Sequence, residues 1–256
     1  MTRPTLTRIR RYPVKGLPGE DLASAELEAG RGIAYDRAFG LAKRAAPIDP
    51  AAPQWLPKRH FHTLIDAPRL AALEIAFDEG PQMLTLRRGG RQVARGGLAD
   101  PLGRTLLEQF FAAYLGETGA ATRIVAAADR PFSDADRPVL SLINLASLAD
   151  LARVLGTEAD PVRFRGNLYF GGAAPWAELA WPGREIGIGT AQLRVIEAIG
   201  RCAATNVNPV TAERDLNIPL ALVRGYGHDT CGVYAEVVRG GRVEVGDGIE
   251  LPDGTA

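Results

Sequence analysis

Cys202 has the widest chemical reach of any residue in this chain. It stands in AIGRCAATNVNPVT, between an apolar strand-like run and a turn-rich stretch, so it projects from a strand end. Arg201 beside it favours the thiolate, the form that binds a soft metal or attacks an electrophile. An inert buried thiol is the competing reading. Cys231, in TCGVY at the start of an apolar run, has no comparable neighbour and reads as structural. Two cysteines in 256 residues give neither a disulfide framework nor a CxxC zinc site. The three histidines are too few for a His-rich metal site. His60 and His62 alternate and can share a face, but they read as surface or loop residues, and His228 stands alone. The chain has no GxGxxG after a strand, no phosphate-binding P-loop, no HExxH and no GxSxG. Gly187 and Gly189 form only a GxG inside a strand pattern.

Charge narrows the ligands. Thirty Lys plus Arg against thirty Asp plus Glu give a formal net charge of zero, which removes bulk attraction to nucleic acid or an anionic membrane. The distribution is uneven. Residues 1–128 hold 18 basic and 13 acidic side chains, net +5, and residues 129–256 hold 12 and 17, net −5. Lysine occurs only at Lys15, Lys43 and Lys58, so the basic half is an arginine half. Arginine forks suit a phosphorylated or carboxylated ligand, and codon composition is the alternative account.

Short strands must position these groups. Gly plus Pro is 47 of 256 residues, an excess of turn-formers that argues against a helical bundle. Runs such as LTRIRRYPV, LAALEIAF and MLTLRR alternate apolar and polar residues between turn signals. AAPIDPAAPQWLPKR at 45–59 reads as a loop. The spacing predicts a helix at about 101–115, with Leu106, Leu107, Phe110, Phe111 and Tyr114 on one face, covering a small barrel. ADRPFSDADRP at 128–138 is a connector, and the domain boundary falls there: 1–127 and 128–256. In the second unit Asn144 caps a helix that Gly156 ends. Gly240–Gly241 suits a two-residue hairpin turn, with Val243 and Val245 on one face. The expectation is an α+β, mostly-β protein of two units. No run reaches the length of a membrane span, and the Arg-rich start lacks a secretory apolar core, so a reduced cytoplasmic protein is expected.

Five ordered segments carry a resemblance. YPVKG at 12–16 with YDR at 35–37, SLINLASL at 141–148, RFRGN at 163–167, RCAATNVNP at 201–209 and GVYAEVVRGGRVEVGD at 232–247 resemble the MOSC family, named after the C-terminal domain of molybdenum cofactor sulfurase. Within it the chain looks most like the mitochondrial amidoxime-reducing component and its bacterial relatives. The resemblance implies an N-terminal β-barrel domain packed on a MOSC β-barrel, with molybdenum cofactor (Mo-molybdopterin) between them. It implies Cys202 as both metal ligand and catalytic residue. It further implies Lys15, Arg37, Asn144, Ser147, Arg165, Asn167, Arg201 and Tyr234 as cofactor-binding residues, the segment at Asn144–Ser147 through helix-opening amides.

The implied activity is reduction of N-hydroxylated compounds, with electrons from a separate reductase, ferredoxin or cytochrome-type protein, since two cysteines allow no ferredoxin cluster. Pyridoxal phosphate binding is a further label associated with the family. A sulfur- or cofactor-carrier using Cys202 and a metal-free small-molecule module are the rival readings. The chain departs from the family pattern at Gly16, Ile65, Gly200, Asn206, Asn208 and Ala212, each removing a polar group, a charge or a turn glycine near the expected site.

Overall fold

The computed structural model describes residues 3–49, 54–128 and 130–251. Residues 50–53 of the expected proline-rich loop and residue 129 of the connector lie outside them. The mostly-β class read from the sequence is the class observed, at 36% strand and 24% helix, with the main sheet curled as a half-barrel.

That sheet has eight strands in the spatial order 249–250, 185–188, 191–200, 230–239, 140–144, 168–171, 5–11 and 20–22. Its inner face is a core of residues such as Leu142, Phe170, Leu193, Val195 and Val233, all without exposure. The first strand of the chain, Thr5–Arg11, pairs antiparallel with Leu168–Gly171, so the N-terminal segment completes a sheet built mostly from the C-terminal half. A second exchange runs the other way. Gly241–Glu244 pairs with Ser24–Glu28 rather than folding back on Thr230–Arg239. The expected hairpin at Gly240–Gly241 is therefore corrected: the chain leaves the sheet there, with the two glycines fitted against the Leu27 carbonyl and Thr190. Val243 is buried in the exchanged strand, whereas Val245 lies in the following turn and is exposed, so they do not share a face.

Helix α1 (Pro101–Leu115) occupies the expected span. Asp100 Oδ2 accepts from the Gly103 amide at 2.7 Å, and Pro101 opens the first turn. Its packed stripe is narrower than the periodicity suggested. Gly103, Leu107, Phe111 and Leu115 are buried, while Leu106 is half exposed. The cause is a close backbone approach. A Cβ on Gly103 would stand 2.4 Å from the Gly97 amide and carbonyl, so the helix lies on the strand Arg91–Gly97 through its glycine side. Helix α2 (Leu145–Leu155) begins at the Asn144 cap and ends at Gly156 in the left-handed region, as read. Helix α3 (Ile218–Tyr226) packs beside it, with the Asn217 and Asn206 side chains accepting from its first amides.

Candidate functional site

A cavity of about 320 Å³ opens where the N-terminal strands meet the C-terminal sheet. Lys15 enters from the short strand Val14–Lys15, which pairs parallel with Phe39–Ala42. The chain then turns at Gly16, whose φ of +90° and approach to the His62 carbonyl leave no room for a Cβ, which would stand at 2.2 Å. This glycine, a departure from the family pattern, is thus required by this backbone. Lys15 Nζ is buried and donates to the Phe132 carbonyl at 2.7 Å and to Asp134 Oδ1 at 2.5 Å. Burial lowers its pKa, Asp134 opposes this, and the nearby Arg37 and Arg165 add to the lowering. Burial would raise the Asp134 carboxyl, but Lys15, Lys58 and Arg37 outweigh it and hold it down to about 2.

Arg37 and Arg165 both have left-handed backbones and both stack on Tyr12, with centroid distances of 4.8 and 4.5 Å. Arg37 is ion-paired with Asp36 and donates to the Arg165 carbonyl at 3.0 Å. Burial lowers its pKa, and the Asp36 charge more than compensates. Arg165 has no such carboxylate at hand. Its Nη1 donates to the Leu17 carbonyl at 2.8 Å, and burial together with Arg37 lowers its pKa. Asn167 lines the same cavity, but its amide is committed to the frame. Oδ1 accepts from Ser141 Oγ at 3.0 Å and from Arg37 at 3.3 Å, and Nδ2 donates to the Arg10 carbonyl at 3.2 Å. It fixes Arg37 against two strands. Tyr234, opposite Ser141 in the sheet, completes the wall, and its pKa is raised by burial and by Asp134.

Cys202 follows the strand Ala191–Gly200, at the strand end the sequence indicated, and starts a 3-10 turn in which Thr205 Oγ1 donates to its carbonyl at 2.9 Å. It is half-buried and faces the cavity. The role read for Arg201 is corrected. Its guanidinium turns away to donate to the Cys231 carbonyl and, at 2.9 Å, to the Phe164 carbonyl, so it braces the backbone. The cation beside Cys202 is Lys58. Burial lowers the Lys58 pKa, and Asp134, with an oxygen 3.6 Å from Nζ, together with the Cys202 sulfur reverses the shift upward. Sequence reading missed Lys58; its one signal was rarity, as the third of only three lysines, near the end of the proline-rich loop. Trp55 Nε1, donating to the Ser133 carbonyl at 3.1 Å, ties the segment before Lys58 to a residue of the cavity wall. Cys231 is fully buried, which pushes its thiol up to about 12, as befits a structural residue.

Asn144 and Ser147 are not brought to this cavity. Both point at Glu178, which is also without exposure. Asn144 Nδ2 donates to Glu178 Oε2 at 2.9 Å and Ser147 Oγ to Oε1 at 2.8 Å. Burial raises the Glu178 carboxyl, and these donors limit the rise. A buried carboxyl takes every nearby neutral donor, so the opening of α2 is spent on structure and not on a ligand. His62 is a further correction, buried rather than at the surface. It is 3% exposed, with Nε2 3.2 Å from Thr122 Oγ1 and Nδ1 3.5 Å from Asp66. Among the described residues no group of His, Cys, Asp and Glu is placed to hold a metal by itself.

Two of the remaining departures, Asn208 and Asn206, have local explanations. Asn208 Oδ1 accepts from the Val210 and Thr211 amides while Nδ2 donates to Asp215 at 2.7 Å, which an aspartate could not do. Asn206 Oδ1 accepts from Ile218 N, and Gly200 has open space at its Cβ position, the nearest atoms being Asp229 oxygens at 3.9 Å.

Six cationic residues line this cavity, Lys15, Arg37, Lys58, Arg163, Arg165 and Arg201, against the one acidic residue Asp134. Arg37 and Arg163 are paired behind the wall with Asp36 and Asp215, and the Arg201 guanidinium is spent on backbone carbonyls. A mostly-β protein with a cationic cavity beside a half-buried thiol has the charge and the sulfur that an anionic, metal-bearing group would require. Residues 129–250 match the model of the MOSC domain family. Among curated proteins, the chain is similar to mitochondrial amidoxime-reducing component 1 of Mus musculus, 35% identical over 95 residues, 37% of this chain and 27% of that one. It is also similar to mitochondrial amidoxime-reducing component 1 of Homo sapiens, 29% identical over 122 residues, 43% of this chain and 36% of that one. The matches thus span about a third of those relatives' length. Among solved structures, the YUAD protein from Bacillus subtilis aligns over 98% of this chain and 96% of its own, with TM-score 0.46 and 14% identity. YiiM from Geobacillus stearothermophilus aligns over 44% and 54%, with TM-score 0.36 and 18% identity.

Proposed function

We propose that the protein is a molybdenum-cofactor-dependent oxidoreductase that reduces N-hydroxylated compounds with electrons from a separate protein. The observation that carries this reading is that Lys15 and Arg37 from one end of the chain meet Arg165 and Cys202 from the other in one cavity. The donor set fits the group. An anionic pterin cofactor needs fixed cations without matching acids, and Arg165 is such a cation. A thiophilic metal needs a reachable sulfur, and Cys202 offers one with Lys58 beside it. Lys15, Arg37 and Arg165 would hold the anionic portion, Asn167 keeps Arg37 in place, and Cys202 would supply the protein ligand. When bound, the cofactor supplies a metal that takes up oxygen and changes oxidation state; the chain supplies charge, orientation and a sulfur.

In this reading, residues 1–127 form a β-barrel domain and 128–256 the MOSC domain, the first lending two strands and the second one to the other's sheets. The chain acts in the cytoplasm, where the free thiols Cys202 and Cys231 stay reduced. No helix among the described residues is long and apolar enough to cross a membrane.

The test is metal analysis of protein from a molybdenum-replete host, followed by turnover of a benzamidoxime. Stoichiometric molybdenum with pterin is expected, with no turnover by NADH alone and loss of the N-hydroxyl group once a reduced viologen is added. Cys202→Ser should abolish that turnover while keeping the melting transition, and Cys231→Ser should keep both. Sulfane sulfur on Cys202 without metal would turn the reading to a sulfur carrier.

A further inference from the structure

Helix α1 carries more apolar surface than the fold covers. Leu102, Leu106, Phe110 and Tyr114 follow one another at four-residue steps and form a single ridge along its flank. Leu102 is 67% exposed and Leu106 50%. Phe110 and Tyr114 are half-buried, with their rings stacked at a centroid distance of 5.3 Å. Single exposed leucines are ordinary, whereas an aligned apolar row with nothing over it marks a surface that meets something. The ridge ends at a cluster of arginines. Arg69 and Arg88 lie over the Tyr114 ring, 4.9 and 5.8 Å from its centroid, and Tyr114 Oη donates to the Arg69 carbonyl at 2.7 Å. Arg91 stands directly opposite Arg88 across the turn Gly89–Gly90, both glycines being left-handed.

Like charges opposed across a strand pair cost stability. All three arginines are exposed, and none of their guanidinium groups joins an ion pair or donates a hydrogen bond among the described residues. The acids around them are spent on backbone amides. Glu74 Oε1 accepts from Gly90 N at 3.0 Å, and Asp100 and Glu108 accept from Gly103 N and Ile124 N, each at 2.7 Å. Charging an edge against stray pairing accounts for Arg91, in the edge strand Arg91–Gly97. It does not account for Arg88, in the central strand Met83–Arg88, or for Arg69, in the 3-10 turn Pro68–Ala72. We propose that this flank of α1, together with Arg69, Arg88 and Arg91, is the docking surface for an acidic amphipathic segment of a partner protein. Its carboxylates meet the three arginine forks, and its apolar side chains cover Leu102, Leu106 and Phe110. Arginine recognises carboxylates bidentately, and two of these forks are already held on a ring, so less freedom is lost on pairing. A ridge stepping by four suits a helix laid along it. A lipid surface is attracted by charge alone and needs no such fixed forks. The inference does not rest on the proposed function, because none of these residues lines the first cavity.

Fluorescence anisotropy of a labelled peptide with glutamate and leucine at helical spacing, titrated with the full-length chain, tests it. The peptide should bind saturably, and the same peptide with lysine for glutamate should not bind. Arg69→Gln, Arg88→Gln and Leu106→Ser should each weaken the peptide about tenfold. Arg88→Lys should recover only part of that loss, since it restores the charge without the fork. Arg239→Gln removes an exposed arginine without an ion pair from the other half of the chain and should change nothing. Melting transitions of all these variants should match the parent. A lowered transition in Arg88→Gln would assign that side chain to the fold and overturn the proposal. No saturable binding would overturn it, and so would equal losses in Arg88→Gln and Arg239→Gln, which would reduce the effect to bulk charge. Sedimentation with phosphatidylserine vesicles supplies the remaining arm. Co-sedimentation that Arg88→Gln abolishes, with no peptide binding, would make the surface a membrane contact and overturn the protein partner.

Discussion

The cluster around Glu178 and the cluster around Lys15 are both buried and polar, yet they close differently. At Glu178 one carboxyl receives two neutral donors from Asn144 and Ser147, and Ser147 Oγ in turn accepts from the Trp176 amide at 2.8 Å. Donors and acceptors match, and nothing is left for a ligand. At Lys15, the cations Lys15, Lys58 and Arg37 bear on one carboxylate, Asp134. Arg165 beside them meets the Leu17 carbonyl and the Tyr12 ring, with no carboxylate in ion-pair contact among the described residues. Like charges held together without compensation destabilise the free protein, and an arriving anion relieves them. A balanced buried network therefore signals architecture, and an unbalanced one signals a site.

The sharpest way to break this contrast is to remove the acid from the balanced cluster. Glu178→Ala leaves the Asn144 amide and the Ser147 hydroxyl without their acceptor in a closed interior, which should cost about 2–4 kcal/mol of stability in urea unfolding. Cofactor content per folded molecule should be unchanged. A stability loss below about 1 kcal/mol would mean the network is not closed. The mirror experiment, Arg165→Met, should lower cofactor occupancy about tenfold, equivalent to about 1.4 kcal/mol, yet leave the stability of the cofactor-free protein level or higher. Destabilisation of that protein would show Arg165 to be a structural member like Glu178.

The two carboxyls also predict opposite pH slopes. Asp134 titrates near 2 when folded and higher when unfolded, so its contribution is present above the ordinary aspartate range and is lost as pH falls toward 2. Glu178 has a raised pKa, so the folded state holds its proton more tightly, and its contribution declines as pH rises above the ordinary glutamate range. Asp134→Asn should flatten the acid limb of the stability profile, and Glu178→Gln should flatten the decline on the higher side. Identical profiles for either variant and the parent would remove the assigned role. The smallest effects are expected at the rim. Asn208→Asp places a second charge beside Asp215 and should cost about 0.5–1 kcal/mol in thermal unfolding. Gly200→Ser, with open space at its Cβ, should stay within about 0.5 kcal/mol.

Local rules account for what could be read in advance. The caps at Asp100 and Asn144 and the stop at Gly156 are settled within a few residues of chain, so α1 and α2 fall where the spacing put them. Cys202 could be placed at a strand end because an apolar run and a turn-rich segment flank it. The left-handed turn at Gly16 is not legible in this way, because its cause, the His62 carbonyl against the glycine, comes from a segment distant in the chain.

Side-chain direction is another matter, because it depends on partners distant in sequence. Arg201 adjoins Cys202 in the chain, but the Cys231 and Phe164 carbonyls, brought up by other elements, draw its guanidinium away. Lys58 stands 144 positions from Cys202, and only the loop anchored by Trp55 sets it there. Asn144 and Ser147 open a helix as the sequence indicates, and it is Glu178, some thirty residues on, that decides what they bind. The strand exchanges of 5–11 and 241–244 follow the same logic, since pairing energy does not record which half of the chain a strand came from. The sequence by itself determined the elements, the reactive sulfur and the charge available to a ligand. Tertiary structure decided which of those charges stay uncompensated, because compensation is a sum over neighbours that only folding brings within reach.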